Sequence, residues 1–258
     1  RFNIAPAQVT KDFTLYRELA PQNIEYDAQR RLHVRGTQFR SLFQYDPLRT
    51  LATLSQGFGD GFSGKRGVPF PCEAPHHLNQ PALSTIATLT EAIHKRKAVQ
   101  ITYVSLTSGE TLREIVPHTL VDSGLRWHVR AYCEKKGEYL DFVMSRFRGE
   151  PDLLDASPHG RDQDREWNTR VTAIVIPNPA LSEGQQAIIA SDYAMADGKL
   201  LISQRIPLMH YALERMQVSY NGDHEQHPLL YPLVLANRDE LVAKGCIFKL
   251  RSPDLRES

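Results

Sequence analysis

The chain has 258 residues, 41% hydrophobic and 24% charged, with 31 Lys and Arg against 30 Asp and Glu for a net charge of +1. That length asks for two or three domains of a soluble globular protein, and the even charge leaves any nucleic-acid partner to be sought in local patches. The longest apolar runs, such as residues 187–190, fall far short of the roughly 20 residues of a membrane span, so no membrane partner is expected.

Three widely spaced cysteines, Cys72, Cys133 and Cys246, form no CxxC pair and fit reduced thiols in a cytoplasm. Arg1-Phe2-Asn3 opens directly into helix-like sequence, so no signal peptide is expected, and the lack of an initiator Met suggests a native N-terminus further upstream.

Residues 6–20 read as a helix, with Pro6 at its first position and Val9, Phe13, Tyr16 and Ala20 as the apolar stripe. Ala7, Thr10, Lys11, Thr14 and Arg17 face outward. Residues 24–34 read as two short strands around a polar turn, with Arg30-Arg31 just past the tip. A helix followed by a basic hairpin is how a winged helix-turn-helix ends, its two earlier helices then lying upstream of Arg1; any helix packed on any hairpin would read the same way.

Asp46-Pro47 starts a further helix to about Gln56. Residues 57–81, rich in Gly and Pro, read as an interdomain connector. A helix over residues 83–96 then leads into strands at 99–106, 111–116, 118–121, 125–133 and 139–145, a spacing that suggests a small antiparallel barrel of the SH3 or Sm kind. Residues 157–167 read as a polar linker. Beyond them come strands at 171–176 and 200–204, helices at 182–193 and 207–217, and a Leu-rich stretch from 229 to 241, a small α+β module with surface for a partner.

Several motifs fail on chemistry or context. Residues 59–66 nearly match a phosphate loop, but Arg66 stands where the magnesium-binding hydroxyl belongs, and Gly67-Val68-Pro69 cannot open a helix. Cys72, His76 and His77 match no zinc spacing. The acidic residues at 152, 155, 162, 164 and 166 read as a solvated segment. No nucleophile–base pair or metal cluster is legible, so neither an enzyme nor a cofactor is expected.

The strand at 125–133 carries the strongest signal. Leu125, Trp127, Val129, Ala131 and Cys133 point one way, which makes Cys133 a core thiol. Arg126, His128, Arg130 and Tyr132 point the other. Arg146 and Arg148 share a face if their strand continues past Ser145, and Tyr103, Ser105 and Thr107 alternate on the first strand. Together they read as a groove of guanidinium forks, hydroxyls and a ring suited to an anion or a nucleic acid. A solvated barrel face with ion pairs to Asp141 or Glu138 is the other reading.

This arrangement resembles the WYL-domain transcriptional regulators, particularly those found with bacterial phage-defence islands such as BREX and CBASS. Trp127-His128-Val129 occupies the place of the Trp-Tyr-Leu signature, with His128 and Val129 departing from it. Residues 101–105, Pro117-His118 and Met144-Ser145-Arg146-Phe147 resemble flanking family segments, and residues 4–12 resemble the family's recognition helix.

The resemblance implies an α+β chain of three parts: the end of a winged helix-turn-helix (residues 1–45, with a helix and linker at 46–81), a ligand-sensing WYL barrel (82–156) and a dimerisation domain (157–258). It implies a homodimeric cytoplasmic regulator, usually a repressor, on a palindromic operator. Gln8, Thr10, Lys11 and Thr14 would enter the major groove, and Arg30 and Arg31 would contact phosphate. An anionic or nucleic-acid-derived effector would meet Tyr103, Ser105, His118, Arg126, His128, Arg130, Tyr132, Ser145, Arg146 and Arg148. An adaptor binding single strands through the barrel groove is the alternative.

Overall fold

The computed structural model of the chain describes residues 5–44, 46–56, 80–220 and 227–247. It divides into two compact units at the 76/77 boundary. The phosphate-loop-like run, Cys72, His76 and His77 lie outside the described residues.

The first unit holds α1 (Pro6–Leu19), β1 (Ile24–Asp27), β2 (Leu32–Arg35) and α2 (Pro47–Gln56). Pro6 takes the first helical turn, where its missing N–H costs nothing. The hairpin is antiparallel, with Tyr26 opposite His33. Phe13 of α1 stacks on His33 at 5.1 Å, and Tyr26 meets the same ring at 5.2 Å. Asn23, buried between helix and hairpin, donates to the Tyr16 hydroxyl (3.0 Å) and the Arg40 carbonyl (2.6 Å) and accepts from the Arg40 N–H (2.8 Å). Gly36 is obligatory: a Cβ there would lie 2.0 Å from the Gln22 carbonyl oxygen.

The second unit opens with α3 (Leu83–Lys95), which ends on Arg96 in the left-handed region and buries Leu89 and Ala92. Its sheet comprises β3 (Lys97–Ser105), β4 (Gly109–Asp122), β5 (Trp127–Cys133), β6 (Glu138–Val143) and β7 (Phe147–Ala156), in the order β6-β5-β4-β3-β7. The edge strands β6 and β7 are joined only through a 3-10 turn, Met144–Arg146. A flat sheet would hold those edges about 19 Å apart, whereas four residues span at most about 14 Å, so the sheet must curl towards closure. This is the expected small barrel. Its core of Val99, Ile101, Ile115, Val129, Ala131, Cys133 and Phe142 closes under Leu89 and Ala92.

Expected strands at 111–116 and 118–121 are one strand, β4, with a register shift between Pro117 and Thr119. Pro117 lacks a donor, and a bulge is where a central strand tolerates that. Trp127 also departs from expectation: it is 42% exposed rather than in the core with Cys133.

Residues 157–167 are not a solvated linker. They form a 3-10 turn, Arg161–Gln163, and α4 (Arg165–Asn168), whose N-cap Asp164 accepts from the Trp167 N–H and is 1% exposed. Then follow β8 (Arg170–Pro177), α5 (Glu183–Asp192), β9 (Leu200–Arg205), α6 (Ile206–Arg215), β10 (Leu233–Leu235) and α7 (Arg238–Ala243). Strand order is β10-β8-β9, all antiparallel, and alternate β8 residues Val171, Ala173 and Val175 pack with Met209 and Leu213 of α6 in a second core. A reciprocal Ser182–Gln185 capping box starts α5.

Candidate functional site

In the first unit, Gln8, Thr10, Lys11 and Thr14 are all exposed on α1, while Val9, Tyr16 and Ala20 are half-buried. The Thr10 and Thr14 hydroxyls donate back to the carbonyls of Pro6 (3.1 Å) and Thr10 (3.0 Å), which leaves their methyls and oxygen lone pairs outward. Gln8 donates to Asp12 at 2.7 Å. At the hairpin tip Asp27 accepts from the N–H groups of Gln29 (2.9 Å) and Arg30 (3.0 Å), and the turn closes through Arg31 at φ +53°. Arg30 and Arg31 thus project from a fixed turn, Arg30 with Asp27 at 3.7 Å.

In the second unit the ten expected effector contacts do not share one groove. Tyr103 is a core residue: it packs edge-on against Phe142 (5.2 Å) and Phe147 (5.9 Å), and its hydroxyl accepts from the Val143 N–H at 3.2 Å. Ser105 sits at the β3–β4 turn, bonded to Thr107. Tyr132 stacks on His159 at 3.7 Å. Ser145 and Arg146 lie in the 3-10 turn and Arg148 on β7, because the strand ends at Val143; the condition for Arg146 and Arg148 to share a strand face is not met.

Arg130 lies at the centre of a buried ion cluster. Its Nε and Nη2 donate to Asp164 at 2.8 and 3.2 Å, Nη2 also reaches Glu166 at 2.9 Å, and Nη1 approaches Asp141 at 3.5 Å. His118 places Nε2 3.2 Å from Asp164 and Nδ1 2.9 Å from the Thr119 hydroxyl, and the Tyr211 hydroxyl donates to Asp141 at 3.1 Å. Burial alone would raise Asp164. His118, Arg130 and the Trp167 N–H outweigh it and hold the carboxyl well below the usual range. Burial would likewise lower Arg130, and its carboxylates raise it instead. Asp141 goes the other way, pushed up by burial despite Arg130. The cluster ties β4, β5 and β6 to α4 and α6, and its three carboxylates leave Arg130 little charge for a ligand.

Arg126 and His128 occupy a different place, a cavity of about 380 Å³ between the β4–β5 turn and α6, lined also by Leu125, Tyr211, Glu214 and Arg215. His128 is 6% exposed, its ring is 4.9 Å from that of Tyr211, and its Nδ1 has no hydrogen-bond partner among the described residues. Burial first, then the charges of His210, Arg126 and Arg146, bring its pKa down to about 4 despite the Arg126 backbone, so the ring is neutral at neutral pH. Arg215 lies against Gly124, where a Cβ would stand 3.0 Å from its Cδ. A neighbouring cavity of about 530 Å³ shares Ser123, Tyr211 and Arg215 and runs on along α6. Two guanidiniums, one carboxylate and a buried neutral imidazole suit an anion that also offers hydrogen-bonding edges.

Sequence reading missed Asp164, Glu166, Tyr211, Glu214 and Arg215. Asp164 carried one signal, a capping carboxylate ahead of a buried Trp at the third helical position; the α6 residues carried none. Among the described residues no group of three or more His, Cys, Asp and Glu is placed to hold a metal ion, and no helix is long and apolar enough to cross a membrane.

Comparison with known proteins divides the chain in the same order. Residues 1–56 match the BrxR transcriptional regulator winged helix-turn-helix domain, 84–149 the WYL domain, and 170–241 the BrxR C-terminal dimerization domain. Proteins named DNA-binding transcriptional repressor CapW are similar over most of their length. That of Escherichia coli strain KTE188 is 32% identical over 94% of this chain and 82% of its own, and that of Pseudomonas aeruginosa 31% identical over 93% and 82%. That of Stenotrophomonas maltophilia is 28% identical over 84% and 75%. With winged-helix, WYL and C-terminal dimerization domains in one order and likeness over most of the length of these repressors, the chain belongs to the BrxR and CapW family of WYL-domain transcriptional regulators.

Proposed function

We propose that the chain is a cytoplasmic homodimeric repressor of a phage-defence locus rather than an enzyme, and that an anionic effector in the cavity between barrel and α6 controls it. The observation that carries the reading is likeness over 94% of the chain to a protein named as a DNA-binding transcriptional repressor. The exposed row Gln8, Thr10, Lys11 and Thr14 supports α1 as the helix that reads base edges, and the fixed tip of Arg30 and Arg31 supports a wing on the phosphates. Two copies related by a two-fold axis would meet a palindrome with half-sites about 34 Å, or a multiple of that, apart. The effector would act by binding one dimer geometry more tightly than the other. Of the ten residues expected to meet it, Arg126 and His128 line the cavity, joined by Tyr211, Glu214 and Arg215.

The single-strand adaptor needs one continuous groove, and Tyr103, Ser105, Tyr132 and Arg148 are dispersed away from one. A mobility shift of the full chain on its own upstream DNA tests the reading. A sharp shift that survives unrelated duplex and single-stranded competitors is expected, and binding removed equally by every competitor would reject it.

A further inference from the structure

A second basic site lies away from the effector cavity, where α4 meets the C-terminal sheet. Arg170, the first residue of β8, and Arg205, the last of β9, are directly opposite each other across the strand pair. Opposed residues on antiparallel strands share a face, so two guanidiniums stand side by side where a pair of like charges opposes folding. A third, Arg161, approaches from the 3-10 turn. Two of the three lie over the indole of Trp167: the Arg205 guanidinium carbon is 5.1 Å from its ring centre and that of Arg161 6.0 Å.

Each contact these arginines make leaves their charge unneutralised. Arg205 donates to the Trp167 carbonyl and Arg170 to the Ser203 carbonyl at 3.3 Å. Among the described residues no carboxylate forms an ion pair with Arg161, Arg170 or Arg205. Burial, and after it the charges of Arg161 and Arg170, hold Arg205 below an ordinary arginine, with no carboxylate pulling it back up. Arg130 is the contrast within the same unit, one guanidinium enclosed by three carboxylates.

Most of the arrangement is held in place. Trp167 is 4% exposed and its backbone N–H is held by the Asp164 cap, Arg205 is fixed by its strand and by the Trp167 carbonyl, and Arg170 is fixed by its strand and by Ser203. Fixed donors lose little freedom on binding, which distinguishes a site from loose surface charge. Guanidinium forks match the oxygens of a phosphate two at a time, and stacking on an aromatic ring leaves a guanidinium's in-plane N–H edge available for that.

We propose that Arg161, Arg170 and Arg205 around Trp167 form a phosphate-binding site, separate from the effector cavity, that takes either a phosphodiester of the DNA backbone or free phosphate. Contact with a backbone would add affinity that is indifferent to sequence and steep in salt. A free phosphate would stabilise the second unit by mass action.

The test uses the full chain and the double variant Arg161→Gln, Arg170→Gln, which spares Arg205 and its contact to Trp167. Thermal unfolding is followed in inorganic phosphate and in chloride at equal ionic strength, and binding to a non-operator duplex is followed from 50 to about 200 mM salt. Loss of two phosphate contacts per protomer should lower the steepness of log K against log salt by about two for each protomer. A shallower slope for the variant assigns the site to the DNA backbone. An unchanged slope with phosphate-specific stabilisation in wild type only assigns it to free phosphate. Equal slopes together with equal unfolding in phosphate and chloride would overturn the proposal. Arg161→Lys with Arg170→Lys, which keeps charge but not the fork, should recover the salt slope and not the phosphate stabilisation.

Discussion

Arg130 and Asp164, 34 residues apart, make a two-pronged ion pair at 2.8 and 3.2 Å, with side chains 5% and 1% exposed. One partner is on the barrel strand β5; the other caps α4, the first helix after the barrel. The pair therefore fixes where the C-terminal module begins relative to the sheet. Removing Arg130 alone takes the guanidinium away from the buried Asp164 and Asp141 and leaves Asp164 only His118 and the Trp167 N–H, which costs about 3–5 kcal/mol. Arg130→Met should lower the urea midpoint of the second unit accordingly, and Arg130→Met with Asp164→Leu should recover part of the loss. A double variant no better than the single would show that the loss is one of packing.

The same pair sets a pH dependence. Asp164 is depressed in the folded chain, so its contribution is fully present above the unfolded value near 4 and fades as pH falls below it. Asp141 is raised and opposes folding as pH climbs through its own range, which offsets a part. Urea midpoints between pH 5 and about 2.5 should therefore fall in wild type and fall less in Arg130→Met, whose Asp164 keeps His118 and the Trp167 N–H but has lost the guanidinium.

His128 titrates with the same sign in a higher window. Its folded pKa is about 4 against 6.5 unfolded, so acid drives protons onto the unfolded chain, and stability drains as pH falls from 6.5 towards 4. The full effect is about 3 kcal/mol by the size of the shift. His128→Phe, which keeps a ring against Tyr211, should flatten that part of the curve. It will not abolish it, because burial and then Arg130 also hold His210 below its ordinary value. An identical slope in the variant would show that His128 does not supply the dependence.

Much of the fold was legible because it rests on local chemistry. Pro6 and Pro47 mark helix starts, polar turns separate the barrel strands, and β8 alternates in and out. Pro117 misled, since a donorless residue inside a strand reads as a break until the bulge is seen. The site was half legible for a related reason. Alternation separated Arg126, His128, Arg130 and Tyr132 from the core face, but a period of two cannot say what covers the other face. The α4 and α6 segments cover it, so Arg130 meets Asp164 and His128 meets Tyr211 across separations of 34 and 83 residues. Acidic residues near 164 read as solvated because their partner is distant in the chain.

At the hairpin tip, charge and backbone make opposite demands on Arg31. Its φ of +53° costs a side-chain-bearing residue about 1–2 kcal/mol, less the roughly 0.5–1 kcal/mol that glycine loses in entropy. Arg31→Gly should thus raise the stability of the first unit by up to about 1.5 kcal/mol while lowering DNA affinity uniformly across sequences and reducing the salt slope by about one per protomer. Lys11→Ala, on the helix face, should instead lower operator affinity more than non-operator affinity. Loss of discrimination from Arg31→Gly would move the wing from phosphate to base edges.

Gly124 and Arg215 offer a way to test the proposed effector cavity without changing its charge. At φ +85° and with the Arg215 Cδ 3.0 Å from a would-be Cβ, Gly124→Ala strains the turn and pushes the arginine off its seat. The strain should cost about 1–2 kcal/mol, local to the β4–β5 turn. If Arg215 holds the effector, Gly124→Ala and Arg215→Gln should both weaken its action on operator release while leaving operator binding without effector near wild type. Arg126→Gln, across the cavity, should do the same by a separate contact. Operator titrations with and without an extract of phage-infected cells read all three. A response intact in Arg215→Gln and Arg126→Gln would place the effector outside this cavity, and a response lost only in Gly124→Ala would trace to the turn itself.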